Sequence, residues 1–203
     1  MTMRKTIARI MLIILILSIS QTTAESAIGI RDLFQAPEIT ATPAPNAFRF
    51  RNGIRWGMST QQVKALETEP MSERTMQSWA VMLTDGKVSV SRFAADLVFM
   101  FREDRLMMIS YEFTKALQDD FLYLSGALSS VYGEKSEADP LKIKVLMDAI
   151  NPNYYKTEQI TQAYGWNTPD GTVIYLYYYS ADAFAIMYAS PETGSSIYQT
   201  NGL

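Results

Sequence analysis

The sequence predicts an α+β protein: an antiparallel β-meander sheet with helices packed on one face, built as two helix-plus-meander units in tandem. Two observations carry this. Alternating apolar runs with turn residues between them fill Trp79 to Phe113 and return from Thr172 to Ala189. Each set follows a segment with helical apolar spacing, so the order helix, strands, helices, strands repeats one pattern twice.

The first 24 residues carry Arg4, Lys5 and Arg9 and no acid, then an apolar run from Ile10 to Ile19, then Thr22-Thr23-Ala24. That is the layout of a secretory signal peptide over 1–24, cut close to Ala24. The run is shorter than the ~20 apolar residues a membrane span needs, so the membrane is a partner only if the segment is retained as an anchor. The expected location is exported: periplasmic, extracellular or envelope-associated. Residues 25–47 end in Ala41-Thr42-Pro43-Ala44-Pro45 and read as a flexible linker. A single domain follows over 48–190, with halves at about 53–113 and 119–190, and a polar mobile tail over 191–203.

Ser59, with Gln62 three residues on, forms a capping box that starts a helix. Met58 and Val63 stand at the two positions of a hydrophobic staple, and Pro70 ends the segment. Trp79, Val81 and Leu83 alternate up to Asp85-Gly86, a pair suited to a two-residue hairpin, and Val88 and Val90 follow. Leu97, Phe99 and Phe101 form one face of a strand, Glu103-Asp104 a turn, and Met107, Ile109, Tyr111 and Phe113 the return strand. Asp119 to Tyr132 is helical, with Phe121, Leu124, Leu128 and Val131 on one face and Gly133 as the C-terminal stop. Pro140 to Ile150 is a second helix, with Leu141, Val145 and Ala149 four apart. Tyr154 to Trp166, Thr172 to Tyr179 and Phe184 to Ala189 are strands.

Gly57-Met58-Ser59, Gln62-Val63, Leu66 and Pro70, with Trp79 and the hairpin from Leu97 to Leu106, resemble the opening of the small lipoprotein of the outer-membrane barrel-assembly machinery. The β-lactamase inhibitor proteins resemble two tandem copies of the same helix-plus-meander unit. The resemblance covers residues 53–113, and the second half shares only the order of elements. Glu67 stands where the lipoprotein pattern has Gly. The resemblance implies non-catalytic protein binding or inhibition.

The chain has no Cys and no His. That excludes a Ser-His-Asp triad, a Cys nucleophile, disulfides and a Cys/His metal centre. Without the first 24 residues, 15 basic and 21 acidic side chains remain, a net charge of −6, which disfavours nucleic acid as a partner. No G-x-S-x-G elbow, EF-hand loop or glycine-rich phosphate loop is present. No metal, cofactor or catalytic residue is expected. The carboxylates Asp96, Glu103, Asp104, Glu112, Asp119 and Asp120 are candidates for acid–base work, and four of them occupy a turn or a helix start.

One feature suggests binding. Tyr175, Tyr177 and Tyr179 share one side of a strand, opposite Ile174 and Leu176, and Met187 lies on the small-residue side of the next strand with Ala185 and Ala189. Packing the larger apolar set on the helices turns the tyrosines outward, and Tyr and Met are residue types that interfaces favour. The expected function is therefore an exported, non-enzymatic, protein-binding or inhibitor-like module using that aromatic face. The alternatives are a carboxylate-dependent envelope hydrolase and a self-associating structural protein.

Overall fold

The computed structural model describes residues 48–150 and 160–199. The expected signal peptide, the linker and the first part of the Tyr154–Trp166 strand lie outside those residues. After a 3-10 turn at Arg51–Gly53, Ser59 caps helix α1 (Thr60–Leu66) as the capping box requires. The Ser59 hydroxyl accepts from the Gln62 N–H at 3.2 Å, and the Gln62 side chain accepts from the Ser59 N–H at 2.9 Å.

Pro70 does end the helical segment, but the chain then runs straight into β1 (Met71–Met76). Sequence patterning misses this strand because Ser72-Glu73-Arg74-Thr75 has no apolar alternation; those four residues are exposed. β2 (Trp79–Thr84) pairs with β1, and β4 (Phe93–Arg102) pairs with β5 (Arg105–Thr114), all antiparallel. Glu103 and Asp104 turn the β4–β5 corner with φ of 53° and 54°, the double positive φ of a type I′ hairpin. Asp104 also accepts from the Thr60 N–H and hydroxyl, both at 2.9 Å, which docks the start of α1 on that turn.

The Asp85-Gly86 pair does not make the hairpin its composition suggests. β2 already has β1 on one side and β4 on the other, so β3 (Val88–Val90) continues along the same edge of β4. Thr84 bridges the interruption: its hydroxyl accepts from the Leu97 N–H at 3.3 Å.

Helix α2 (Gln118–Tyr132) follows, with Asp120 accepting from the Leu117 N–H at 3.0 Å. It buries Phe121, Leu124 and Leu128, while Val131 is exposed. The short β6 (Ser136–Glu137), helix α3 (Pro140–Ile150), β7 (Ala163–Asn167), β8 (Val173–Ser180) and β9 (Ala183–Ala189) come next. The described strands form one sheet in the order β1-β2-β4-β5-β9-β8-β7-β6, with β3 beside β4. The α+β class with an antiparallel, meander-like sheet therefore stands.

The helices do not all lie on one face. Val63 of α1 and the buried residues of α2 share a core with Leu97, Phe99, Ile109, Leu176 and Ile186. Ile143, Leu146, Met147 and Ile150 of α3 pack on the opposite face. α3 has two apolar stripes, and the one that includes Leu141 and Val145 faces solvent. The segment expected to begin a mobile tail starts as helix α4 (Pro191–Gln199). Ser190 accepts from the Thr193 N–H at 3.3 Å as its cap, Pro191 takes the first helical position, and Thr193 and Gly194 are buried. A Cβ on Gly194 would fall 2.8 Å from Val173, so this contact needs glycine.

Candidate functional site

The proposed binding tyrosines are covered. Tyr175 is 4% exposed, Tyr177 and Met187 are 0%, and only Tyr179 is half-exposed. The reason is the small residues beside them. Ala163, Ala185 and Ala189 leave a shallow strip across β7, β8 and β9, and α3 fills it. The outward-facing aromatic surface is thus part of the core, with Tyr177 and Tyr179 rings 6.4 Å apart beside the helix.

Antiparallel register lines up this second face in rows. Asp96, Glu112, Ala185 and Tyr177 follow one another across β4, β5, β9 and β8. Leu83, Val98, Ser110, Met187 and Tyr175 form the next row, and Val81, Met100, Met108, Ala189 and Val173 the next. α3 covers the β9–β8–β7 part of each row. Towards β1 the same apolar surface borders a groove of about 300 Å³.

Val81 and Leu83 of β2 and Val98 and Met100 of β4 floor the groove, and Met147 and Ile150 of α3 wall it. Arg74 and Met76 of β1 form its outer rim, with Asp96 and Glu112 at the inner end. Asp96 and Glu112 stand directly opposite each other on adjacent strands. Like charges so placed repel, and Lys87 offsets the repulsion with an ion pair to Asp96 at 2.5 Å. Of the acids weighed from sequence, these two come together. Glu103-Asp104 and Asp119-Asp120 stay in their turn and helix start. Among the described residues, no group of three or more acidic side chains is placed to hold a metal ion.

Alternation in Trp79–Leu83 and Leu97–Phe101 places the groove residues on strand faces. What the sequence lacks is a signal that α3 stops short of β2. No described helix is long and apolar enough to cross a membrane.

A second polar cluster lies near the other face. Glu67, whose side chain is fully buried, meets Arg51 at 3.3 Å and accepts from the Thr68 N–H at 3.0 Å. Burial pushes the nearby Tyr111 hydroxyl up to about 12, against the lowering effect of Arg51. Burial also raises Tyr188 and Tyr132, which hydrogen-bond to each other. At the β7–β8 turn Asp170 is held below the usual carboxylate range. Its partial burial opposes that, but hydrogen bonds from Thr168, the Phe48 N–H and Thr172 outweigh it. The Phe48 bond, 2.7 Å long, pins the first described residue to the far end of the fold. These contacts tie the N-terminal residues to the sheet.

No protein-family profile, curated protein or solved structure matches this chain.

Proposed function

We propose that the chain is an exported, non-enzymatic binding module that takes an apolar segment of another protein into the groove between α3 and β1-β2-β4. The observation that carries this reading is the groove itself: six apolar side chains from two strands and a helix line a trough whose continuation under α3 is core. An apolar depression with a few polar groups at its ends is the usual form of a site that buries a ligand. The signal-peptide layout supplies the compartment, and the resemblance to inhibitor-like folds supports the same role by analogy only.

A photo-crosslinking residue at Leu83, on the groove floor, should form an adduct with one partner in the cells that express the protein. The same residue at Leu141, on the outer side of α3, should not. No adduct from position 83, or the same adducts from both, overturns the reading.

A carboxylate-dependent hydrolase is the second reading, favoured by the facing pair Asp96 and Glu112 at the groove's inner end. Two carboxylates across a bound sugar are the minimum for glycoside hydrolysis. The Lys87 ion pair suits a structural carboxylate better than a proton donor. If Asp96→Asn and Glu112→Gln each abolish hydrolysis of an envelope polysaccharide by the purified chain, the enzyme reading replaces the first.

A further inference from the structure

Resting on the groove reading above, we infer that the partner segment binds as an extended strand added to the free edge of β1, with an acidic side chain opposite Arg74. The sheet path ends at β1, whose only strand partner among the described residues is β2. The closing pair of its two-residue turn, Met76 and Trp79, is hydrogen-bonded in an antiparallel hairpin, and alternation follows from there. Met71, Glu73 and Thr75 therefore direct their backbone N–H and C=O groups away from the sheet. A row of such groups is a template for another chain.

Arg74 and Met76 face the groove from β1, so the same face of an added strand extends the groove by one row. Charge then selects the sequence. Lys64 pairs with Glu73, and Lys87 pairs with Asp96. Arg74 is exposed and makes no ion pair among the described residues. An acid directly across from it, about 5 Å away, meets an unneutralised cation. The residues two positions either side of that acid share its face; one lies beside Met76, which is apolar, and the other beside Ser72, which is exposed and polar. The ligand class is an extended peptide with an acidic residue and, two positions from it on the Met76 side, an apolar one.

The test uses a displayed library of seven-residue peptides of that pattern, selected on the full chain. The best binder is then made in two N-methylated forms, one blocked along each backbone edge. Strand addition uses one edge only, so one form should lose at least tenfold in affinity and the other should keep it. Arg74→Glu should weaken the parent peptide by fivefold or more, and a variant peptide with Lys for the acid should recover on that background. If both N-methylated forms bind equally while Met100→Glu abolishes binding, the groove reading survives and strand addition is overturned. If no peptide is selected, or binding ignores both Met100→Glu and Arg74→Glu, both fall. If the chain self-associates through β1 and no peptide displaces it, a second copy is the occupant and the inference fails.

Discussion

Glu67 shows how one buried carboxylate can tie two turns of a fold together. Its carboxylate has no exposure, and it joins the turn after α1 to Arg51 in the 3-10 turn. Removing one member of a buried pair leaves the other charge uncompensated, at a cost of ~3–5 kcal/mol when both are buried. Arg51 keeps 29% of its side chain exposed, so Glu67→Ala should lie at the low end, about 3 kcal/mol by chemical denaturation. Tyr111, Tyr132 and Tyr188 make a pH prediction nearby. Their folded-state pKa values are raised above 10, to about 12 for Tyr111, so the folded state holds these protons more tightly than the unfolded chain. Stability should be full below pH 10 and fall as pH rises through about 12. Tyrosinate absorbance from these three rings should appear together with the loss of far-ultraviolet circular dichroism. Ionisation of all the tyrosines near pH 10 in a folded protein would contradict the burial.

At the level of elements, Ser59→Ala should cost ~1 kcal/mol, because it removes one side of a complete capping box. The box was legible in sequence because capping is local chemistry, and so was the Glu103-Asp104 turn. The Asp85-Gly86 hairpin was not, because pairing depends on which strand edges are free. Ser190-Pro191-Glu192 holds a cap, a first-turn proline and a first-turn acid, so the signal for α4 was present in a stretch read as tail. The candidate site was legible only in part. Alternation assigned the tyrosines to one face, but the alanines beside them measure how closely a helix can approach, not how open the surface is. Tyr177→Ala should therefore destabilise the protein by ~3–5 kcal/mol as a buried aromatic, seen as a lowered melting temperature. An unchanged melt would restore the open face.

Across the whole molecule, the sheet is closed in its middle by strands far apart in sequence, β5 pairing with β9. Element order let the sequence suggest two similar halves, but the pairing of β5 with β9 was not readable, since no local pattern records which strands meet at long range. Met108↔Ala189 through Thr114↔Ala183 form that seam. A chain cut after Ser180 should lose β9, bare the facing edges of β5 and β8, and aggregate on size-exclusion chromatography. The same seam sets a clock on biosynthesis. About 70 residues separate β5 from its partner, which at ~5–20 residues per second is roughly 4–14 s of translation. For that interval the nascent chain carries a finished hairpin with one naked, strongly apolar flank. Without β9 the N-terminal strands end in an unpaired edge at β5. Until the last strand emerges, the surface that the finished sheet uses to close that flank is missing, and β9 alone supplies it.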